Sequence, residues 1–276
     1  MKVRPLFLTM KILFIGDIFG NAGRRALSER LPSLIEENDI DLCIANAENI
    51  AGGRGVTQNM FRKLRKYGVH VVTGGNHSFS IPDCDLGFMN YNEVLRPLNY
   101  PPGNVGHGST VYTLENGMAV GVVNLQGRIF FHESLECPFR MGNEAIEELK
   151  TMTSVIIVDF HAEATSEKIA FAQFVDGNVS AVLGTHTHVQ TADERILPGG
   201  TAFITDVGMT GPEDSIIGMS KEQVLKKFML QTHVRFEPSE KSPMINAVIL
   251  DIDEQTGKAL SIVRVYERLG NFNESL

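Results

Sequence analysis

The feature that most constrains this chain is a set of short apolar runs, rich in β-branched residues, that end in glycine or in a side chain able to bind a metal. Residues 12–15 precede Gly16-Asp17, 42–47 precede Glu48-Asn49, and 69–72 precede Gly74-Gly75-Asn76-His77. Residues 155–158 precede His161, and 179–183 precede Gly184-Thr185-His186. Runs of this length and composition read as buried strands. Between the early ones, 23–37 and 58–67 read as helices, with Pro32 expected to kink or end the first. Strand-helix alternation implies parallel pairing and a layered α/β architecture. Further strands are expected at 119–123 and 202–204, and helices at 144–150 and 220–228. Residues 247–253 and 259–266 flank Glu254-Gln255-Thr256-Gly257 as an antiparallel hairpin, so the sheet is mixed or there are two sheets. The Pro-rich stretch 78–110, with Pro82, Pro97, Pro101 and Pro102, reads as an insertion or lid beside a site.

A length of 276 residues leaves one large or two small domains open. With no repeat and no linker, a single domain over 10–270 is expected, between a 1–9 N-terminal extension and a 271–276 C-terminal tail. Apolar residues at 43% and charged residues at 21% fit a chain ordered nearly throughout. The net charge of −8 and the lack of a long Lys/Arg run exclude an electrostatic footprint for duplex nucleic acid or an anionic membrane. No stretch approaches the roughly 18 uninterrupted apolar residues of a membrane span. Pro5, Lys11 and Asp17 interrupt the first apolar run, which argues against a secretory signal. Cys43, Cys84 and Cys137 form no C-x-x-C pair, so neither a disulfide framework nor a thiolate zinc site is expected, and a cytoplasmic location fits.

In open α/β sheets, ligands collect beyond the carboxyl ends of the strands. Five runs place a metal-capable residue there. Singly, each has a plain alternative: Asp17 as a helix cap, Glu48 and Asn49 as turn residues, His161 as a hydrogen-bonded core histidine. Their joint placement favours a site. His186 and His188, two apart on an extended segment, face the same side, and imidazole suits zinc, iron or manganese. Asp17 adds a hard anionic oxygen. The two oxygens of Glu48 can bridge two cations, and Asn76 offers an amide oxygen that leaves His77 free to face substrate.

The order GD…AEN…GGNH…FHAE…GTHTH resembles the metallophosphoesterases, with two departures. Phe19 stands where the D-x-H motif has a histidine, and Ala47-Glu48-Asn49 replaces a G-D-x-x-D segment. Through IGDIFGNAGR (15–24), NAENIAGGRG (46–55), NLQGR (124–128), DFHAEATSEK (159–168) and GTHTHVQTADERILPGGTAFITDVGMTGP (184–212), the chain is similar to the bacterial YmdB-like metallophosphoesterases from Met10 onward. That resemblance implies an α/β four-layer sandwich, two mixed β-sheets flanked by helices. It implies one metal on Asp17, Glu48, Asn49 and His188, and another on Glu48, Asn76, His161 and His186, with Asn49 compensating for the histidine lost at Phe19. It gives His77 the role of proton donor. It further implies iron or manganese, hydrolysis of 2′,3′- or 3′,5′-cyclic nucleotides or a related phosphate ester, and a homo-oligomer.

Two cations roughly 3.5–4 Å apart lower the pKa of a shared water, so the expected nucleophile is solvent, and His77 supplies the proton that a departing ribose oxygen needs. Two other readings compete. Metal-dependent amidohydrolases also use H-x-H, but there the pair opens the first strand, whereas here it comes late and Asp17 comes first. A nucleotide-binding regulator with slow or vestigial turnover, acting through a protein or RNA-processing partner, remains compatible with the residues. The 52–55 GGRG segment reads as a permissive turn rather than a phosphate loop. Gly20, Gly23 and Arg24 divide evenly between substrate approach and simple turn chemistry. Arg128 reads as a phosphate contact or a structural ion pair, His70 as a core histidine, and His107, His132 and His233 as surface or lid residues.

Overall fold

The computed structural model describes residues 9–80 and 89–269. Apart from Thr9, the expected extension 1–9 and tail 271–276 lie outside the described residues, as do Pro82 and Cys84. The chain opens with β1 (Thr9–Ile15) and the two-residue β2 (Asp17–Ile18), then α1 (Gly20–Glu37), β3 (Leu42–Asn46), α2 (Gln58–Tyr67) and β4 (Val71–Thr73). A second group follows: β5 (Ser109–Thr113), β6 (Ala119–Gln126), α3 (Pro138–Leu149), β7 (Val155–His161), α4 (Thr165–Phe174) and β8 (Ala181–Thr185). The remainder comprises β9 (Arg195–Ile196), β10 (Ala202–Ile204), β11 (Met209–Pro212), α5 (Lys221–Leu230), β12 (Pro243–Asp253) and β13 (Ala259–Arg268).

These strands make two mixed sheets. One runs β2-β11-β12-β1-β3-β4 with β13 paired to β12, and the other runs β5-β6-β7-β8-β10-β9. Alternation along the strands gives each sheet two apolar faces. The inner faces meet: Ile12, Phe14, Ile44 and Leu250 of the first sheet share one buried cluster with Val122, Ile157, Leu183 and Ile204 of the second. On the outer face of the first sheet, Leu27, Leu31 and Leu34 of α1 and Phe61 and Leu64 of α2 cover Leu13, Ile15 and Cys43. On the outer face of the second, Ile146 and Leu149 of α3 and Phe171 and Ala172 of α4 cover Val123, Ile156 and Phe160. The result is the helix-sheet-sheet-helix sandwich, and each layer exists because both faces of each sheet must be covered.

Parallel pairing aligns the ends that matter. Ile15 sits beside Ala45 and Asn46 beside Thr73 in the first sheet, while Gln126, His161 and Thr185 line up across the second. Both sheets therefore present the carboxyl ends of their central strands at the same end of the sandwich.

Several sequence expectations need correction. Pro32 does not end α1, which continues to Glu37, because Leu31 and Leu34 are buried on either side of an exposed proline. α3 begins at Pro138, six residues before the expected start, with proline at its first turn. α4 has no counterpart among the expected helices. Its helical periodicity is weak because Lys168 is buried on its inner face. Residues 81–88 of the expected insertion or lid lie outside the described residues; beyond them, Val94 and Leu95 are buried, Leu95 donates its N–H to Val72, and Leu98 donates to Asn124 of β6. The hairpin is present as β12 and β13, paired antiparallel.

Candidate metal centre

All seven residues singled out as ligands lie at this common end, on β2, on the segments following β3 and β4, at the end of β7 and just beyond β8. Asp17, Glu48, Asn49 and His161 are buried. Gly75 lets the 74–77 loop come this close. A Cβ there would lie 2.3 Å from Glu48 Oε2 and 2.4 Å from His161 Nε2. The loop is pinned by a two-sided clamp: Gly74 donates its N–H to Asn124 Oδ1 (3.0 Å), while its carbonyl accepts from Asn124 Nδ2 (3.1 Å) and Asn46 Nδ2 (3.0 Å).

One half of the centre forms around His161. Thr185 Oγ1 donates to Asp159 Oδ1 at 2.7 Å and therefore accepts from His161 Nδ1 at 2.9 Å, which fixes that proton on Nδ1 and turns Nε2 inward. Asp159 is itself held by Thr73 Oγ1 (2.5 Å) and Asn46 Nδ2 (2.9 Å). Around His161 Nε2 stand Asn76 Oδ1 at 3.0 Å, His186 Nδ1 at 3.1 Å and Glu48 Oε2 at 3.3 Å. His186 Nε2 lies 2.9 Å from Glu163 Oε2, a carboxylate acceptor, which leaves Nδ1 of His186 as an acceptor facing the centre. Glu48, His161 and His186 each present a ligand atom within 4.8 Å of one another.

The other half forms around His188. Its Nδ1 donates to the Ile217 carbonyl (3.0 Å), so Nε2 faces Asn49 Nδ2 at 3.2 Å and Asp17 Oδ1 at 3.9 Å. Asp17 Oδ2 accepts from the His186 N–H (3.1 Å), whereas its Oδ1 is buried without a hydrogen-bond partner. Glu48 joins the halves: Oε1 accepts from Asn49 Nδ2 (2.8 Å) and Oε2 accepts from the His77 N–H (3.1 Å). Asn49 turns its nitrogen to Glu48 and His188 and its oxygen to His77 Nδ1 (2.8 Å). An Asn49 ligand would need that amide turned over.

The electrostatics match a cation site. Burial is the largest influence on Glu48 and opposes its charge, yet His161 and His77 hold its carboxyl well below the usual range. Burial pushes the Asp17 carboxyl up against the pull of His188 and His161. His161 is lowered by burial but raised more by Glu48, Asp17 and Asp159, to about 9, while burial and the His161 charge bring His186 down to about 3. One proton on His161 Nε2 thus faces three acceptor atoms on other side chains. A cation in its place would meet those atoms, and His161 Nε2, as ligands. With the orphaned Asp17 oxygen and the all-O/N donor set, these residues fit transition-metal ions.

Sequence reasoning missed the supporting layer. Asp159, Thr185 and Asn46 carried no motif role, although Asp159 is two residues before His161 on one strand and so shares its face. The buried Lys168–Asp206 pair (2.7 Å) was also missed; Asp206 Oδ2 accepts from the Thr187 N–H (3.0 Å) between the two histidines, both of which have positive φ. Among other residues weighed, the 52–55 segment is a turn with positive φ at Gly52, Gly53 and Gly55, and its Gly53 and Arg54 line the cavity over the centre. Arg24 donates to the Ile50 carbonyl (2.5 Å) and Asn21 Oδ1 (3.2 Å), and His70 Nδ1 accepts from the Cys43 N–H (2.9 Å). Arg128 is exposed, and its backbone N–H donates to Glu167.

Comparison with known proteins places this chain in a family. Residues 13–265 match the family described as YmdB-like protein. A 2′,3′-cyclic-nucleotide 2′-phosphodiesterase of Bacillus subtilis is 45% identical over 256 residues, covering 93% of this chain and 96% of that protein. Two crystal structures are similar throughout: a hypothetical protein from Thermus thermophilus (TM-score 0.87, 39% identity, 94% of this chain and 99% of that one) and a novel phosphatase from Mycoplasma pneumoniae (TM-score 0.89, 36% identity, 95% of each chain). With its fold and its sequence in agreement over nearly the whole length, this chain belongs to the YmdB-like family.

Proposed function

We propose that this chain is a phosphodiesterase that hydrolyses cyclic nucleotides with two metal ions. The observation that carries this reading is the set of acceptor atoms converging on His161 Nε2, continued through Glu48 to the partnerless Asp17 oxygen. The B. subtilis relative's activity supports the same class of chemistry. In this reading Asp17, Glu48, Asn49 and His188 hold one ion, and Glu48, Asn76, His161 and His186 the other, with iron or manganese suited to the mixed oxygen and nitrogen donors. Bound there, the two cations would neutralise phosphate oxygens and lower the pKa of a water they share.

The chain's own groups do the rest. Buried carboxylates keep the charge fixed in place, so little reorganisation accompanies the reaction. His77, 28% exposed, lines the cavity beside Asn49; once the Asn49 amide turns its oxygen toward the cation, its Nδ2 donates to His77 Nδ1. With Nδ1 accepting, the His77 proton sits on Nε2 and passes to the leaving ribose oxygen, an alkoxide that would otherwise depart poorly. A homo-oligomer is part of the same proposal. The test is turnover of 2′,3′- and 3′,5′-cyclic nucleotides by chelator-treated and manganese-reloaded protein. Metal-restored hydrolysis is expected, and nucleotide binding without turnover in the reloaded protein would favour a regulator instead.

A further inference from the structure

The cavity over the centre, about 300 Å³, is walled on its outer side by Arg54 and Met219, and both residues also wall a second cavity of about 500 Å³. That second cavity is lined as well by Val234, Phe236 and Pro238. Its wall is anchored to the centre by an arm of chain. The Ile217 carbonyl accepts from His188; Gly218, with φ +102°, packs where a Cβ would lie 2.7 Å from the Phe19 ring; and Met219 pairs antiparallel with Pro238. Ser239 donates its N–H to the Gly218 carbonyl (2.8 Å), Ser220 to the Glu237 carbonyl (2.9 Å), and Glu237 to Gln223 Oε1 (2.6 Å). Phe236 and Met219 are therefore held in a set relation to His188. Phe236 nevertheless remains 42% exposed and, among the described residues, joins none of the buried apolar clusters.

We propose that this outer cavity is the base subsite: the nucleobase stacks on Phe236 against Met219 and Val234, with Arg54 standing between it and the phosphate at the centre. The inference rests on the phosphodiesterase reading. An aromatic ring beside a guanidinium, next to a phosphate-binding centre, is the arrangement that takes a flat π face attached to an anion. Among the described residues, Arg54 and Ser80 carry the only polar side chains lining this cavity, so the base edge meets few donors or acceptors. The subsite accepts all four bases and favours the larger purines, because stacking does not depend on edge pattern.

The test compares a nucleoside 2′,3′-cyclic phosphate with methyl riboside 2′,3′-cyclic phosphate, which lacks a base. The metal-loaded native chain is expected to show a KM about tenfold lower for the nucleotide, on the scale of one base-aromatic stack. Phe236→Ala should bring the two KM values within about twofold, and Phe236→Tyr should restore the difference. Equal KM values in the native chain would overturn the proposal without any variant, as would a difference that survives Phe236→Ala. Hydrolysis of neither compound would remove the phosphodiesterase reading itself, a result distinct from equal turnover of both.

Discussion

The two halves of the centre are built differently. Around His161, the inward nitrogen is set by a relay of buried groups, Asp159 to Thr185 to His161, with Asn46 and Thr73 holding the carboxylate from two strands of the facing sheet. Four strands contribute, and the acceptor atoms of Asn76, His186 and Glu48 already stand within 3.3 Å of Nε2. Around His188, the corresponding anchor is one backbone carbonyl, Ile217, on the arm that forms the outer wall, and Asp17 is 3.9 Å away. Phe19, buried and edge-on to His188 with ring centres 5.6 Å apart, fills the place where the D-x-H motif has a further histidine. The lesson is that preorganisation comes from burial of the groups that orient the ligands. Under the proposed two-cation reading, the His161 half is formed before a cation arrives, and the His188 half needs its cation, and a turned Asn49 amide, to close.

Substitutions can break or sharpen this contrast. The largest effect is expected at Glu48, the one proposed ligand shared by both halves. Glu48→Gln should lose metal from both and cost about 10⁴-fold or more in turnover, the scale of removing a nucleophile. Metal analysis beside kinetics checks this, and full occupancy with near-native turnover would end the bridging role.

His77 comes next, because it touches both halves through Asn49 and Glu48 without being a proposed ligand. His77→Ala should cost about 10²–10⁴-fold on cyclic nucleotides and much less on an activated aryl diester, whose phenolate needs little acid assistance. Both metals should stay bound. Equal losses on the two substrates with metal retained would mean that His77 is not the acid.

Thr185 gives a smaller, one-sided effect. Thr185→Val keeps the shape but removes the hydroxyl that relays Asp159 to His161, and should weaken the His161-side cation about 10–100-fold while sparing the other. Thr185→Ser should restore it. Nitrogen chemical shifts of His161, which report where its proton sits, should change in the valine variant alone; unchanged shifts with weakened binding would point to packing instead.

The sequence carried the proposed ligands more plainly than the layer that holds them. Asp17, Glu48, Asn76, His161 and His186 are readable because each follows the end of a short apolar, β-branched run, three of them after glycine, and the sandwich follows from strand-helix alternation. Asp159 and Thr185 sit inside apolar strands, where a single polar residue looks like an interruption until its partners on other strands are known. Lys168 hid α4 for a similar reason: a lysine on the buried face of a helix contradicts amphipathic spacing, and only Asp206, 38 residues later, explains it. The Ile217 carbonyl leaves no side-chain trace. At Pro32, local propensity points to a helix end, but tertiary packing of Leu31 and Leu34 outweighs one lost helical hydrogen bond.

The central claim is that seven side chains hold two cations of unequal grip through one shared carboxylate. Calorimetric titration of the chelator-treated chain with manganese tests it most directly, read beside turnover of a cyclic nucleotide at each point. Two equivalents should bind in distinguishable steps, the tighter first, with hydrolysis appearing only as the second step fills. A single equivalent, two identical sites, or full turnover before any metal is added would contradict it.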